Sequence, residues 1–512
     1  MEFTQEYFET VITLARMGGK SMLFFESIEA HPADWSALIF KDKVITFGEL
    51  RQTIDNWAAY LQAKGLQKGE RVGLFSKNFP EFVAAYHAIV KAGGVVVPIN
   101  FMLSPTETSF IIKDASVKMM FVQEVMDMEA ALEKRGCDPV EQITFAEIAA
   151  APEAVPAPVK MHEDECCSII YTSGTTGNPK GAMLSHKNII ANIHSFTNAI
   201  SMEPKDKAFC VLPMHHCFGW TVCVAGPMLK GGAIVIQDNY NVADILRLIV
   251  THKVDQFCGI PTFAQMFLRA AEPEHLASLR WFVSGGAPLP AHLSKAFKEK
   301  FGKYPQEGYG LSEAAPVCAV NPGDKIKVGS IGLALPYVKV EIHDENDTKL
   351  PNGTVGELCV QGYNVMLGYL NQPEASAETL RNNWLHTGDL AYMDDEGYIF
   401  IVDRSKDMII LGGENVYPRE VEEVIYTLPE VLECAVVGVE DSLRGQAVCA
   451  FIVLKEGMEG DKKAMRKYLL EHLALYKVPR HYFFIEKMPK NGTGKIVKPT
   501  LREMAAALVQ KV

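Results

Sequence analysis

The cysteines of this chain lack any repeating spacing. There are 11 of them among 512 residues, an odd number, and Cys166-Cys167 is not a C-x-x-C pair. This pattern argues against a zinc site and favours a reducing compartment. The first residues, MEFTQEYFETV, are acidic and lack the apolar core of a secretory signal. We therefore expect a cytoplasmic protein.

Positive charge is in the minority. The chain has 50 Lys and Arg residues against 62 Asp and Glu residues, so its formal net charge is −12. An acidic surface of this size argues against nonspecific nucleic-acid binding. It does not exclude anionic ligands, because a local pocket can be positive. We expect small-molecule partners and no nucleic acid.

Charged residues are absent from the stretch 208–229. Its length alone would permit a membrane span. However, it contains His215, His216, two prolines and two glycines, which favour a buried pocket wall. We expect at most peripheral contact with a membrane, and either a monomer or a homodimer.

Strand and helix patterns alternate along much of the chain, which indicates mainly parallel α/β layers. A chain of 512 residues is too long for one ordinary core, so two or more domains are expected. Thr46-Phe47-Gly48-Glu49 and Ser104-Pro105-Thr106-Glu107 have the spacing of helix capping boxes. We also expect residues 1–35 to be helical and peripheral.

The most informative stretch is residues 167–181, CSIIYTSGTTGNPKG. Its first half has the β-branched and aromatic residues of a buried strand. Its second half offers glycines that let backbone N–H groups approach an anion, together with hydroxyl donors and Lys180. This is the chemistry of a phosphate cradle. It is not a Walker A loop, because Asn178-Pro179 separate Gly177 from Lys180.

The string YTSGTTGNPKG closely resembles the phosphate-loop signature of the adenylate-forming superfamily, which includes acyl- and aryl-CoA synthetases. The resemblance covers nearly the whole chain, with several motifs in the family's order. It implies that the loop binds the phosphates of ATP or AMP. The residues expected to do so are Thr172, Ser173, Gly174, Thr175, Thr176, Gly177 and Lys180.

Later motifs complete the nucleotide site that the resemblance implies. Tyr309 would stack on adenine, and Ser312 would reach the phosphate. Glu313 would bind Mg²⁺, a hard cation that takes oxygen ligands. Asp389, in the segment WLHTGDL, would accept hydrogen bonds from the ribose hydroxyls. The other residues expected at the nucleotide are Gly285, Gly286, Ala287, Glu307, Gly310 and Arg404.

The acyl pocket is expected near the uncharged stretch. In the family, a proline-rich segment ending in His and Phe-Gly lines this pocket, and His216 falls on the usual position. Small residues near Gly310, Ala314 and Ala315 could leave room for an acyl chain, whereas Trp220 could close the pocket. The residues assigned to the pocket are His216, Trp220, Gly310 and Leu311.

The resemblance also divides the chain in two. Residues 1–404 would form an adenylation domain of layered α/β subdomains plus a small β-barrel-like subdomain. Residues 405–512 would form a small, mobile α+β domain with a hinge near Lys406. Lys495, on a glycine-flanked loop, matches the family's adenylation lysine, and the CoA-binding assignment falls on Gly412, Gly413 and Glu414.

These motifs imply an ATP-dependent carboxylate–CoA ligase that uses Mg²⁺, with Lys495, Glu313, Arg404 and Lys406 as catalytic residues. We expect a medium- or long-chain fatty acid as substrate. The alternatives are an aryl or branched carboxylate, or transfer of the acyl group to a carrier protein rather than CoA. An inactive nucleotide-binding scaffold is a further alternative. Such a protein would lack the magnesium or adenylation residue, whereas Glu313 and Lys495 are both present in this chain.

Overall fold

The computed structural model describes residues 22–41, 43–172, 179–411, 414–441, 445–490 and 495–509. Mixed α/β architecture is confirmed, with a large N-terminal part and a small C-terminal part. None of the helices in these ranges has the length and apolar character needed to cross a bilayer. All 11 cysteines are free thiols.

A seven-stranded sheet carries the two strands that flank the phosphate loop. Its strands pair in parallel, except for the last two pairings at the loop edge, which are antiparallel. In spatial order the strands are Gly368–Tyr369, Lys180–Ser185, Cys166–Thr172, Val95–Ile99, Arg71–Phe75, Met119–Val122 and Glu141–Thr144.

A nine-stranded sheet carries the predicted adenine-side segments. Its central strands are parallel, and antiparallel strands lie at both edges. In spatial order they are Leu333–Ala334, Val317–Val320, Gln306–Gly310, Trp281–Ser284, Gln256–Gly259, Ala208–Cys210, Ile234–Ile236, Ser36–Phe40 and Lys43–Thr46.

The region predicted to be barrel-like is a four-stranded antiparallel sheet. Its strands are, in spatial order, Val338–His343, Gly356–Gly362, Leu385–Met393 and Ile399–Arg404. This sheet brings the predicted ribose residue Asp389 directly opposite Arg404.

The C-terminal part contains a five-stranded sheet of its own. Four strands follow the order Glu414–Val416, Ile409–Leu411, Gly445–Leu454 and Val431–Asp441, and His481–Phe484 pairs with Gly445–Leu454. Alternate residues of Val431–Asp441 enter two different cores, with Val436 on one side and Val437 on the other. This is the two-residue period of a strand covered on both faces.

Helices cover the sheets, and three begin with capping boxes at Thr46, Ser104 and Ser185. The α-helices are Phe47–Ala63, Pro80–Lys91, Pro105–Ala115, Glu129–Arg135, Phe145–Ala149, His186–Ala199, Gly226–Leu229, Val242–His252, Pro261–Ala270, Ala291–Phe301, Pro373–Thr379, Pro418–Ile425, Lys462–His472 and Lys498–Val509. Shorter 3-10 segments are Phe24–Ile28, Pro273–Leu276, Ser312–Ala314, Arg381–Asn383, Ser405–Asp407 and Leu475–Lys477.

The uncharged stretch forms a strand, Ala208–Cys210, and a π-helix, Phe218–Ala225. Trp220 is 1% exposed and stacks on Tyr86 with ring centroids 4.0 Å apart. Phe24 and His87 complete this aromatic cluster. The stretch is therefore an internal wall, in agreement with the sequence prediction.

One prediction for the N-terminal region is wrong. Phe24 is fully buried, so residues 22–35 are not merely peripheral. A single aromatic residue inserted between other elements produces no periodic pattern, which is why the sequence did not reveal it. The prediction for residues 1–21 lies outside the described residues.

The buried hydrophobic residues belong to different cores before and after residue 400. The main core includes residues from Phe24 to Ile399. Two further cores, on the faces of the five-stranded sheet, begin at Ile409 and Ala435. The division of the chain at residue 404 stays a prediction, and these separate cores support it.

Candidate active site

The ends of the phosphate loop lie side by side. Thr172 and Lys180 are cross-strand partners, and the Thr172 hydroxyl donates to the Lys180 carbonyl at 3.4 Å. The predicted loop residues Ser173, Gly174, Thr175, Thr176 and Gly177 lie outside the described residues. The described flanks therefore fix where the loop begins and ends.

Tyr369 links the end of this loop to the predicted magnesium ligand. Its hydroxyl donates to Glu313 Oε1 at 2.8 Å, and its ring centroid lies 5.0 Å from Lys180 Nζ. Burial raises the pKa of the Tyr369 hydroxyl, with the charge of Glu313 as the next cause. The phenol therefore stays protonated and keeps donating. Tyr369 was not predicted from the sequence, because the site residues it contacts, Glu313 and Lys180, lie 56 or more residues away along the chain.

The predicted adenine-side residues occupy the ends of neighbouring parallel strands. Gly285 follows Trp281–Ser284, and Tyr309 lies in Gln306–Gly310. A Cβ atom at Gly285 would lie 3.2 Å from the Phe218 ring, and one at Gly310 would lie 2.3 Å from the Pro316 carbonyl oxygen. Glycine is therefore needed at position 310, where a side chain would clash with backbone, whereas a side chain at position 285 would require the Phe218 ring to shift slightly. Gly286 and Ala287 continue the same turn.

Asp389 brings two other predicted site residues together. Its Oδ2 accepts a hydrogen bond from the Tyr309 hydroxyl at 2.5 Å, and its Oδ1 lies 3.2 Å from Arg404 Nε. Asp389 is only 6% exposed. Burial raises the pKa of Tyr309, and the nearby Asp389 charge adds to this effect. The three side chains form one group, joined by a hydrogen bond and a salt bridge.

The contacts described for Glu307 lie outside this group. Its Oε1 accepts the Leu289 N–H at 3.1 Å and lies 3.8 Å from Arg419 of the C-terminal part. Burial raises the pKa of Glu307 to about 7, although the Arg419 charge opposes the change. In the structure this acid therefore links the two parts of the chain. Its contact with a nucleotide stays a prediction.

The backbone of the 212–220 segment fixes the tautomer of His216. The Phe218 N–H donates to His216 Nδ1 at 3.2 Å, so a neutral ring carries its proton on Nε2. Burial, and next the charge of Lys495, lower the pKa of His216 to about 4. His216 is therefore a neutral hydrogen-bond donor at neutral pH. His215 instead packs its ring edge-to-face with Phe101.

The remaining acyl-pocket residues differ in their surroundings. Gly310 is exposed and Leu311 is partly buried, whereas Trp220 is enclosed in the aromatic cluster. Ala314 and Ala315 are fully buried, so they do not provide open room for a chain in this structure. Next to them, the buried Ser312 hydroxyl lies 3.3 Å from Cys217 Sγ.

Lys495 lies among charged groups from both parts of the chain. The residue as a whole is exposed, but its ammonium group is desolvated by neighbouring protein atoms. This desolvation lowers the pKa of Lys495 to about 8, and the charge of Arg404 is the next cause. Asp389 and Asp407 act in the opposite direction. The structure thus places Lys495 within the electrostatic reach of His216, Arg404 and Asp389.

Lys406 lies in the short 3-10 segment Ser405–Asp407 and is exposed. Although the residue as a whole is exposed, partial burial of its ammonium group lowers its pKa, and the charge of Arg404 is the next cause. Asp407 forms a salt bridge with Arg502 of the last helix. The predicted CoA residues Gly412 and Gly413 lie outside the described residues, whereas Glu414 is exposed at the start of Glu414–Val416.

One cluster in the described residues has donor atoms close enough for a metal ion. It consists of Glu357, Cys359 and His386, whose candidate ligand atoms lie within 4.8 Å of one another. However, Arg381 NH2 already donates to Glu357 Oε2 at 3.1 Å. The guanidinium supplies the positive charge that this carboxylate needs, so a hydrogen-bonded network accounts for the cluster.

Comparison with known proteins agrees with this architecture. The AMP-binding enzyme family matches residues 24–370, and the C-terminal domain of AMP-binding enzymes matches residues 420–495. The chain therefore belongs to the AMP-binding enzyme family, the adenylate-forming acyl-CoA synthetase superfamily. The activity defined at this level is that of an AMP-forming acid–CoA ligase.

Individual relatives span nearly the whole chain. A long-chain-fatty-acid–CoA ligase of Bacillus subtilis (strain 168) is 34% identical over 92% of each chain. A feruloyl-CoA synthase of Amycolatopsis sp. is 35% identical over 90% of this chain and 93% of its own. The crystal structure of ATP-bound MatB from Rhodopseudomonas palustris superposes with a TM-score of 0.90 at 32% identity, covering 95% of this chain and 100% of that one.

Proposed function

We propose that this protein joins a carboxylic acid to CoA in two steps at one site, using ATP and Mg²⁺. In the first step, a carboxylate oxygen bonds to the α-phosphorus of ATP while the bond to pyrophosphate breaks. In the second, the CoA sulfur bonds to the acyl carbon, AMP leaves with the electron pair, and the thiol proton goes to solvent. The observation that carries this proposal is the grouping of Lys495, Arg404, Asp389 and Tyr309.

The difficulty of the first step is the approach of two anions. Proton transfer offers little help, so the protein must supply positioned positive charge and hydrogen-bond donors. Lys180 and Thr172 would act at one end of the phosphates, and Lys495 and Arg404 at the other. The His216 Nε2–H would donate to the carboxylate or to the forming acyl-adenylate.

The Glu313 carboxylate suits the magnesium ion. It is an oxygen ligand fixed by the Tyr369 hydroxyl, and Mg²⁺ binds through one or two carboxylates together with substrate phosphates. When bound, the ion would neutralise part of the charge of the phosphates. Tyr309 and residues 285–287 would hold the adenine, and Asp389 the ribose.

The domain arrangement is part of this proposal. Residues 1–404 would hold the substrates, and residues 405–512 would bring Lys495 to them by rotation near Lys406. The separate hydrophobic cores on either side of residues 400–408 support this division.

The preferred acid is proposed to be a medium- or long-chain fatty acid. The Bacillus subtilis ligase supports this, because it is named for long-chain fatty acids and aligns over 92% of both chains. An aryl acid is the second candidate, since the feruloyl-CoA synthase is equally similar.

A panel of carboxylic acids tests the proposal. Each acid would be supplied with ATP, Mg²⁺ and CoA, while pyrophosphate and acyl-CoA are measured separately. Highest kcat/KM on medium or long fatty acids is expected. Highest activity on benzoate- or cinnamate-type acids would favour the aryl alternative, and pyrophosphate without acyl-CoA would indicate a carrier-protein acceptor. ATP binding without turnover of any acid would contradict the enzymatic proposal.

A further inference from the structure

The strand that carries Asp389 has an irregularity directly before this residue. In the antiparallel pairing of Gly356–Gly362 with Leu385–Met393, Glu357 lies opposite Leu390 and Cys359 lies opposite His386. Leu358 alone therefore lies opposite residues 387–389. Such a bulge changes the direction in which a strand presents its side chains, and bulges are frequent beside active sites.

Side chains hold this bulge in place. The Thr387 hydroxyl donates to the Leu358 carbonyl at 2.7 Å and accepts the Asp389 N–H at 3.1 Å. The Gly388 N–H donates to Glu357 Oε1 at 3.0 Å. Gly388 has φ +72°, a conformation that glycine adopts readily. The extra residues thus have their hydrogen bonds satisfied by one hydroxyl and one carboxylate.

Glu357 is itself held by two donors. Its Oε2 accepts from His386 Nδ1 at 2.9 Å and from Arg381 NH2 at 3.1 Å. Arg381 is anchored in turn on Asp347, with Nε 3.1 Å from both carboxylate oxygens. Hydrogen bonds between charged groups are stronger than neutral ones. The carboxylate of Glu357 is therefore a fixed support for Gly388, the residue immediately before Asp389.

We propose that Glu357 is a positioning residue that sets the ribose selectivity of the nucleotide site, by holding the 387–389 bulge that directs Asp389. Glu357 does not touch the nucleotide. It acts through the Gly388 N–H and so keeps the Asp389 carboxylate where Tyr309 and Arg404 meet it. This inference rests on the proposed binding of the ribose hydroxyls by Asp389.

Discrimination between ATP and 2′-deoxy-ATP tests the inference. The ratio of the two kcat/KM values would be measured by pyrophosphate release in the full-length protein and in Glu357→Gln. Glutamine keeps the size of the side chain but removes the charge that binds Arg381 and His386. We expect the ratio to fall about tenfold, the change produced by losing one well-directed hydrogen bond.

The matched control is Glu341→Gln. Glu341 lies on the neighbouring strand of the same sheet, and its Oε2 is 3.1 Å from His343 Nε2, so it forms a similar acid–histidine pair. This pair lies beside the bulge, but the hydrogen bonds described for Glu341 go to His343 and Lys349 rather than to residues 387–389. Its ratio should equal that of the wild type. An equal fall in both variants would mean that any disturbed acid–histidine pair in this sheet changes the ratio, which would overturn the specific role of Glu357.

Two further variants separate this inference from the proposed role of Asp389. Asp389→Asn should itself lower the ratio, and adding Glu357→Gln to it should lower the ratio no further. A normal ratio in Asp389→Asn would overturn ribose binding by Asp389. If Asp389→Asn lowers the ratio but Glu357→Gln leaves it normal, only the positioning role of Glu357 is overturned. If Glu357→Gln does not fold, Thr387→Val replaces it in the same comparison, because it removes the second support of the bulge.

Discussion

Neighbouring groups set the charges of His216 and Lys495. Enclosure and the charge of Lys495 keep His216 neutral, and its backbone contact places the remaining proton on Nε2. The desolvated surroundings of Lys495 bring its pKa to about 8, close to the working range of an enzyme. At the residue scale, the proposed chemistry therefore depends on a neutral donor and a lysine that loses charge easily.

Replacement of Lys495 by Ala should separate the two half-reactions. Adenylation is expected to slow by roughly 10²-fold or more, because one main electrostatic donor is lost. Thioester formation from preformed acyl-adenylate should be spared. Pyrophosphate release and acyl-CoA formation would be measured separately, with the exposed Lys463→Ala as a control in the same C-terminal part. Equal losses in both steps would refute the assignment.

The same lysine predicts a pH dependence. Lys495 is charged below its pKa of about 8 and neutral above it. The kcat/KM for ATP in pyrophosphate release, which reports the free enzyme, should therefore fall as pH rises through about 8. Lys495→Arg should remove this fall, because arginine stays protonated. A wild-type profile that remains level well above this pH would show that this ammonium group does not control the step.

Sequence motifs located several site residues but not the groups that support them. Tyr309, Asp389 and Arg404 belong to motifs and meet in the structure through a hydrogen bond and a salt bridge to Asp389. Tyr369 and Glu357 were missed. Their importance comes from contacts with Glu313 and Gly388, and the pairing of distant strands that creates these contacts leaves no local pattern.

Local rules worked best where the signal lies within one element. The capping boxes at Thr46 and Ser104 were predicted from four residues each, and both are present. The depth at which Phe24 packs could not be predicted, because it depends on contacts with Tyr86 and Trp220. At the element scale, the sequence predicts where helices begin better than it predicts what they pack against.

Loss of a cap should reduce stability without affecting the site. Ser104 Oγ accepts the Glu107 N–H at 3.3 Å, and Glu107 Oε2 accepts the Ser104 N–H at 2.9 Å. Ser104→Ala should lower the free energy of unfolding by about 1 kcal/mol, measured by urea denaturation. The exposed Thr106→Ala in the first turn should change it by less than about 0.5 kcal/mol. Similar values for the two variants would contradict the cap's contribution.

Across the whole molecule, the two parts meet through the first helix of the C-terminal part. The Arg419 backbone N–H donates to Asp403 Oδ2 at 2.9 Å, and its NH1 donates to the Ile401 carbonyl at 3.0 Å. Its other guanidinium nitrogen lies 3.8 Å from Glu307. One arginine thus joins the four-stranded sheet, the nine-stranded sheet and the helix Pro418–Ile425.

Stability should depend on the titration of Glu307. Its pKa is raised from the ordinary glutamate range to about 7, so the folded state favours the protonated acid. The associated stability is fully present below about pH 4.5 and is lost as pH rises through 7. Relative to Glu307→Gln, the wild type should lose up to about 3 kcal/mol of unfolding free energy between about pH 4.5 and about pH 8.

Denaturant titrations of both proteins at several pH values would measure this difference. The wild type and the variant would share all other titrating groups, so the comparison isolates Glu307. A difference that stays constant with pH would show that the Arg419 charge cancels the effect of burial.

Restriction of the hinge should affect the second half-reaction more than the first. Lys406 lies in the short segment Ser405–Asp407, where proline would fix φ and limit backbone rotation. Lys406→Pro is expected to slow thioester formation more than pyrophosphate release, as measured in single-turnover experiments. The exposed Lys406→Ala variant separates loss of the charge from loss of rotation. A normal second half-reaction in the proline variant would refute a hinge role.

The positions of the tryptophans, including Trp220 in its aromatic cluster, determine which part of this protein intrinsic fluorescence reports on. All five tryptophans, at positions 35, 57, 220, 281 and 384, precede residue 405. Trp220 is stacked and shielded from solvent, and the Trp57 ring centroid lies 5.9 Å from those of Phe121 and Phe145. Selective excitation of tryptophan therefore reports on the part of the chain before residue 405 and not on the C-terminal part. A tryptophan introduced into the C-terminal sheet would give that part a fluorescence signal of its own.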